Sequence, residues 1–242
     1  MLVVGFPALA FDTNCYVVAP GAGERCVVVD PGMGVVPELD AVLAKHRLHP
    51  AAVLLTHGHL DHTFSVTPVC GARDIPAYIH PDDRELLADP AKGLSGAAVD
   101  LFTGRLKWTE PADVAELPDG GTISVAGLSI TVDHAPGHTR GSVLFRLPGE
   151  NATLNSRRLD AGQLCLAGDV LFAGSIGRTD LPGGDTATMM VSLREKILPL
   201  DDATVVLPGH GPVTTIGRER VSNPFLLELV AGANPAGPTR GW

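Results

Sequence analysis

Short apolar runs, each closed by a turn containing glycine or proline, recur along this 242-residue chain. Tyr16-Val17-Val18, the turn Pro20-Gly21-Ala22-Gly23 and the run Cys26-Val27-Val28-Val29 predict a β-hairpin that leads into Asp30-Pro31-Gly32. From Val36 to His46 the period changes. Val36, Leu39, Val42 and Leu43 fall at helical spacing, Pro37 suits a first helical turn, and Pro50 is expected to stop the segment. Val53-Leu54-Leu55 then predicts a buried strand, as do Ala77-Tyr78-Ile79 and residues 122–125, 128–132, 142–147, 163–167 and 204–207. Residues 186–198 predict a helix with Met189, Met190, Leu193 and Ile197 on one stripe. Residues 81–88 read as a short helix, 91–119 as irregular, and 148–160 as a polar, mobile surface loop. Helix, strand and loop in this alternation predict a layered α/β protein. Residues 1–230 are expected to form one domain and 231–242 a flexible tail rich in Gly, Pro and Asn.

Composition narrows the field. Hydrophobic residues make up 45% and charged residues 19%, enough for a sizeable core. A net charge of −9 argues against a nucleic-acid partner, which needs clustered Lys and Arg. Cys15, Cys26, Cys70 and Cys165 show no C-x-x-C spacing and are expected to be free thiols of a reducing compartment. No apolar run reaches the ~20 residues of a membrane span, and the N-terminus lacks a signal-peptide pattern. A cytoplasmic protein, monomeric or a small homo-oligomer, is the expectation.

Chemistry concentrates on the loop after the strand at residues 51–55. Thr56-His57-Gly58-His59-Leu60-Asp61-His62 holds three imidazoles and a carboxylate, more ligands than one ion takes from so short a segment. Two adjacent metal sites are expected, the arrangement that activates a shared water. The same design recurs three times. An apolar strand leads to Pro136-Gly137-His138-Thr139, another to Gly168-Asp169, and a third to Pro208-Gly209-His210. His46, His49 and His80 are read as ordinary surface histidines, and His134 and Asp30 as structural or outer-shell groups.

The ordered set H-x-H-x-D-H, Gly-His-Thr, Gly-Asp and Gly-His resembles the metallo-β-lactamase-fold hydrolases. The stretch Gly168-Asp169-Val170-Leu171-Phe172 to Arg178 is most similar to their glyoxalase II (hydroxyacylglutathione hydrolase) branch, in its short bacterial form without a C-terminal helical domain. The resemblance implies an αβ/βα four-layer sandwich. It also implies a first metal on His57, His59 and His138, a second on Asp61, His62 and His210, and Asp169 bridging both. Zinc is the first candidate, with iron or manganese as alternatives. A hydroxide shared by the two ions, oriented by Asp61 and Asp169, would cleave S-2-hydroxyacyl thiols such as S-lactoylglutathione into hydroxy acid and free thiol. Arg178 falls where the branch carries a basic residue for the thiol moiety; an ion pair with Asp180 or Asp185 is the competing reading. Residues 218–229 are expected to form one or two short helices that bring Arg218 or Arg220 near the pocket. Rival activities on this fold are a mononuclear-iron persulfide dioxygenase and a lactonase.

Overall fold

The computed structural model describes residues 1–96, 99 and 108–233. Two sheets stack face to face. The first begins with β1 (Leu2–Pro7), β2 (Asn14–Ala19) and β3 (Arg25–Val29), antiparallel neighbours whose β2–β3 pair is the predicted hairpin. The chain then climbs helix α1 (Val36–His46), returns along β4 (His49–Leu54), passes the short helices α2 (Leu60–Thr63) and α3 (Val66–Gly71), and enters β5 (Ala77–Ile79). Helix α4 (Arg84–Ala88) and strand β6 (Val114–Glu116) complete this half. β3, β4, β5 and β6 run parallel, as strands joined by helical crossovers do.

The second sheet holds β7 (Thr122–Val125), β8 (Leu128–His134), β9 (Val143–Pro148), β12 (Gln163–Gly168), β13 (Val205–Pro208) and β14 (Thr214–Thr215). Helix α5 (Thr186–Ser192) connects β12 to β13, and α6 (Ile216–Ser222) and α7 (Pro224–Ala233) follow β14. Alternation explains the layering. Val27, Val29, Ala52 and Leu54 face inward against Ile130, Val132, Phe145, Leu164 and Leu166 of the second sheet. Val28, Val53 and Leu55 point outward onto Leu39, Val42 and Leu43 of α1. Leu144, Cys165 and Val206 do the same toward Met189, Leu193 and Ile197. The order helix, sheet, sheet, helix is the expected four-layer α/β sandwich.

Several expectations shift in detail. Pro50 does not stop anything: it lies inside β4, where the pairing with β3 slips between Cys26 and Val27, and an irregularity spares its missing N–H. Residues 148–160 are not a free loop. β10 (Thr153–Leu154) pairs in parallel with β1, and β11 (Arg157–Arg158) pairs with β10, so the segment extends the first sheet. Asn155 fastens it, exchanging bonds of 3.0 Å with both Gly5 N–H and Gly5 C=O. The helix predicted at 186–198 changes hand-hold after Ser192 and finishes as a π-turn, Leu193–Ile197, which keeps Leu193 and Ile197 buried. The stretch 91–119 lies partly outside the described residues, as does the tail from 234 onward. All four cysteines are buried and unpaired. Among the described residues no helix is long and apolar enough to cross a membrane.

Direction decides where function can sit. β12 and β13 are parallel, and β8 runs the same way because each is antiparallel to β9. Their C-terminal ends therefore open on one rim, and the C-terminal end of β4 meets them there, with Val143 N–H donating to Thr56 C=O at 2.8 Å. A second tie crosses the same rim. Asn14 Nδ2 donates to the carbonyls of Pro208 (3.0 Å) and Gly211 (2.9 Å), and Tyr16 Oη donates to Pro208 C=O (2.9 Å). Asn14→Ala and Tyr16→Phe should each cost about 1 kcal/mol. The pair together should cost more than the sum, because only the double variant strips Pro208 of both side-chain donors. Urea denaturation of the four proteins checks this, and strict additivity would refute it.

Candidate metal centre

Each loop that leaves the rim delivers part of one cluster. β4 ends and the chain turns through His57 and His59 into α2, whose first turn carries Asp61 and His62. The loop after β8 brings His138, the end of β12 brings Asp169, and the end of β13 brings His210. His138 Nε2 lies 2.8 Å from His59 Nδ1 and 3.2 Å from His57 Nε2. On the other side His210 Nε2 lies 3.0 Å from Asp61 Oδ2 and 3.3 Å from His62 Nε2. Asp169 sits between the two groups. Its Oδ1 is 3.3 Å from His62 Nε2, and its Oδ2 is 3.6 Å from His138 Nε2 and 3.7 Å from His210 Nε2. The structure thus gathers all seven residues singled out in the sequence.

The outer contacts set which nitrogen carries each proton. Thr56 Oγ1 donates to Asp30 Oδ2 at 2.6 Å, so it accepts from His57 Nδ1–H at 3.1 Å. His62 Nδ1–H donates to the same Asp30 oxygen at 2.9 Å, and His138 Nδ1–H donates to Arg178 C=O at 2.7 Å. In all three rings the bare nitrogen is then Nε2, the one aimed inward. Burial, helped by neighbouring imidazoles, pushes His57 well below its ordinary pKa; burial and His138 push His59 down to about 3. Burial would raise Asp61 and Asp169, but His62 and the other histidines outweigh it and hold both carboxyls below the usual range. His62 and His210 run the other way: burial disfavours their charge, but Asp169 and Asp61, with Asp30 for His62, outweigh it and hold both above the ordinary value, a positive charge that a cation would supply instead. Imidazoles and ionised carboxylates with converging lone pairs are what a borderline divalent cation requires. Asp169 Oδ1 is buried with no hydrogen-bond donor, a lone pair that such a cation would take. The residues fit a metal pair.

Glycine makes the crowding possible. A Cβ on Gly209 would stand 2.2 Å from Asp169 Oδ1 and 2.6 Å from His62 Cε1, and one on Gly177 would stand 1.9 Å from the Asp169 carbonyl. Both loops pass so close to the donors that no side chain fits.

Other expectations sort differently. Arg178 lies on the rim of the cleft, but its guanidinium is paired with Asp180 through two bonds of 2.7 and 2.8 Å; its carbonyl, not its charge, touches the cluster. Arg220 points away, bound to Asp202 and to the carbonyls of Leu198 and Leu200, and neither it nor Arg218 lines the cleft. His46 closes α1 and His49 opens β4 at the far end from the rim. His80 is buried rather than at the surface, stacked on His134 with centroids 4.0 Å apart and planes at 11°. These two and Asp82 also bring ligand-type atoms together. Parallel rings do not aim their lone pairs at one point, however, and His134 Nε2 donates to Arg140 C=O at 2.7 Å.

Sequence reasoning missed Asp83. It is buried, and it accepts from Gly58 N–H (2.8 Å), Thr139 Oγ1 (2.6 Å) and Gly141 N–H (2.8 Å), joining the His57–His59 loop to the His138 loop. An acid soon after a strand end, in His80-Pro81-Asp82-Asp83, is the only local signal it leaves.

Beside the cluster opens a cavity of about 410 Å³, walled by Phe11, Leu60, Leu94, Phe172 and Leu181. A closed structural metal site would have no such space. Asp169→Ala should reduce bound metal from about two equivalents to one or fewer, and Gly209→Ala should lower it as well by displacing His62 and Asp169. Elemental analysis of protein refolded in zinc decides; two equivalents in Asp169→Ala would remove its bridging place.

Comparison with known proteins agrees with this geometry. The family model described as the metallo-beta-lactamase superfamily matches residues 9–210. The hydroxyacylglutathione hydrolase GloC of Haemophilus influenzae is 31% identical over 228 residues, covering 91% of this chain and 95% of that protein. Among solved structures, BLEG-1 B3 metallo-beta-lactamase is 37% identical with a TM-score of 0.78, covering 93% of this chain and 99% of its own. TTHA1623 in a di-iron-bound form is 36% identical with a TM-score of 0.73, covering 92% and 99%. With its sandwich, its rim of ligand-bearing loops and a family match across most of its length, the chain belongs to the metallo-beta-lactamase superfamily.

Proposed function

We propose that the protein is a metal-dependent hydrolase of the glyoxalase II type that cleaves S-2-hydroxyacyl thiols, such as S-D-lactoylglutathione, to a hydroxy acid and a free thiol. The observation that carries this is the Asp169 carboxylate standing between two complete donor groups on the floor of an open cleft. In this reading His57, His59 and His138 hold one cation, Asp61, His62 and His210 the other, and Asp169 both. A bound pair of divalent ions supplies an acidified water and polarises the substrate carbonyl. The nature of the ions follows availability as well as ligand type; zinc suits the donor set, and the di-iron form of a relative makes iron an equal candidate.

The chain's own groups do the rest. Asp61, whose side chain is partly exposed and whose Oδ2 accepts from Thr13 Oγ1 at 3.3 Å, orients the attacking water. Phe11, Leu60, Leu94, Phe172 and Leu181 surround the acyl group and exclude bulk water. Arg178 serves the thiol half by exchanging Asp180 for a substrate carboxylate, for which a planar guanidinium is suited. No buried cysteine is available as a nucleophile: burial pushes the Cys165 thiol up to about 12.

The likeness to the B3 enzyme gives β-lactam hydrolysis as the competing reading, and the test includes it. Protein of measured metal content is expected to release thiol from S-D-lactoylglutathione, to stop when a chelator strips it, and to recover with zinc or iron. His59→Ala is expected to lower kcat/KM by more than the roughly 10–100-fold typical of an outer partner. Nitrocefin turnover without thiol release, or oxygen uptake with glutathione persulfide, would overturn the proposal.

A further inference from the structure

Glu219 is fully buried on the inner face of α6, with no Lys or Arg bound to it among the described residues. Neutral donors satisfy it instead. Gly174 N–H donates to Oε2 at 2.7 Å, Asn223 Nδ2 donates to Oε2 at 3.0 Å, and Thr214 Oγ1 donates to Oε1. Asn223, one helical turn further on and also fully buried, uses the same Nδ2 to reach Ser175 C=O at 3.0 Å. Its Oδ1 accepts from Phe225 N–H at 3.1 Å and so starts α7. A buried carboxylate is costly unless donors such as these surround it. A helix needs neither residue at these positions to pack.

What the pair grips is the turn just after Asp169. Val170 and Leu171 enter the core, and the chain then reverses at Phe172 and Ser175, with Phe172 N–H donating to Ser175 C=O at 3.0 Å and Gly174 at φ +75°. Gly174 and Ser175 lie exposed at the surface, so little packing restrains them. The turn nonetheless has to place Phe172, whose ring stands edge-on to His210 (centroids 6.1 Å apart, planes at 90°) and forms one wall of the cleft.

We propose that Glu219 and Asn223 are positioning residues for the substrate cleft: by holding Gly174 and Ser175 they fix the Phe172 wall beside His210. They touch neither substrate nor metal. The proposal rests on the cleft being where the thioester binds, and it adds that the chain after His210 shapes that cleft from behind rather than by lining it.

The test uses the metal-loaded protein, four single variants and one double variant. Glu219→Ala removes the grip. Glu219→Gln keeps an oxygen for Gly174 and Asn223, because the Thr214 hydroxyl can turn to accept from the new amide. Asn223→Ser keeps an oxygen for Phe225 N–H but loses the donor to Ser175, without setting a second carboxylate against Glu219. Phe172→Ala removes the wall itself. Amide hydrogen exchange at residues 172–176 should quicken by about tenfold or more in Glu219→Ala and Asn223→Ser, the worth of one lost buried hydrogen bond. It should return to wild-type rates in Glu219→Gln, with exchange at 57–62 and metal content unchanged in all. KM for S-D-lactoylglutathione should rise about 5- to 20-fold in Glu219→Ala with kcat within about twofold. Adding Phe172→Ala to Glu219→Ala should raise KM no further than Phe172→Ala alone. If Glu219→Ala does not fold, Asn223→Ser carries the same readings. Unchanged exchange in the turn, or KM effects that multiply in the double variant, would overturn the proposal. Absence of thioester turnover in the wild type would instead remove the proposed function, and the exchange result would still decide the grip.

Discussion

Five imidazoles and two carboxylates meet at the end of the sandwich, and their inward lone pairs are satisfied only when positive charge lies between them. Two unit charges about 4 Å apart, such as a cation and a carboxylate, attract by roughly 4 kcal/mol in surroundings of effective dielectric about 20. That is a large part of the ~5–15 kcal/mol by which a domain is stable at all. Holding such groups together demands ties from behind. Asp30 binds Thr56 and His62, the Arg178 carbonyl binds His138, and Asp83 joins the two loops that bring His57, His59 and His138. Cation affinity and the order of this rim are therefore one thermodynamic quantity, and a loss in either appears in the other.

The fold meets that demand by contributing from both sheets. The first sheet supplies one cluster of four ligand-type residues on a single loop, and the second supplies one residue from each of three strand ends. Neither sheet alone encloses the cleft. The contacts that keep the sheets in register near the rim, from Asn14 and Tyr16 to Pro208 and from Val143 to Thr56, thus act on the spacing of the donors as much as on stability. Two buried polar systems share the work: Asp83 on the side of the first sheet, and Glu219 with Asn223 behind the second.

The seven donors were legible because their signal is local. Three histidines and an aspartate within six residues, and glycine beside each later donor, announce themselves without knowledge of any partner. The helix at Val36–His46 was legible for the same reason, since its buried residues follow one period. What stayed hidden depends on distant partners. Asn14 is separated from Pro208 by 194 positions. Asp83 looks like any surface acid until Gly58, Thr139 and Gly141 close around it. Pro50 was credited with ending the helix, but Arg47 in the left-handed region already ends it, and the slip in pairing with β3 lets Pro50 enter β4. Arg178 carried the right position and a different contact: its charge faces Asp180, and its backbone does the work at the centre.

The short hairpin of β10 and β11 has an effect unconnected with catalysis. An open sheet margin is a template on which a second molecule can add its own strand, the first step toward insoluble fibrils. Here the outermost strand offers only two residues, both exposed arginines, Arg157 and Arg158. An incoming strand would find few rungs and a fixed positive charge on each, so a segment that first resembles a dispensable insertion keeps crowded molecules from zipping together.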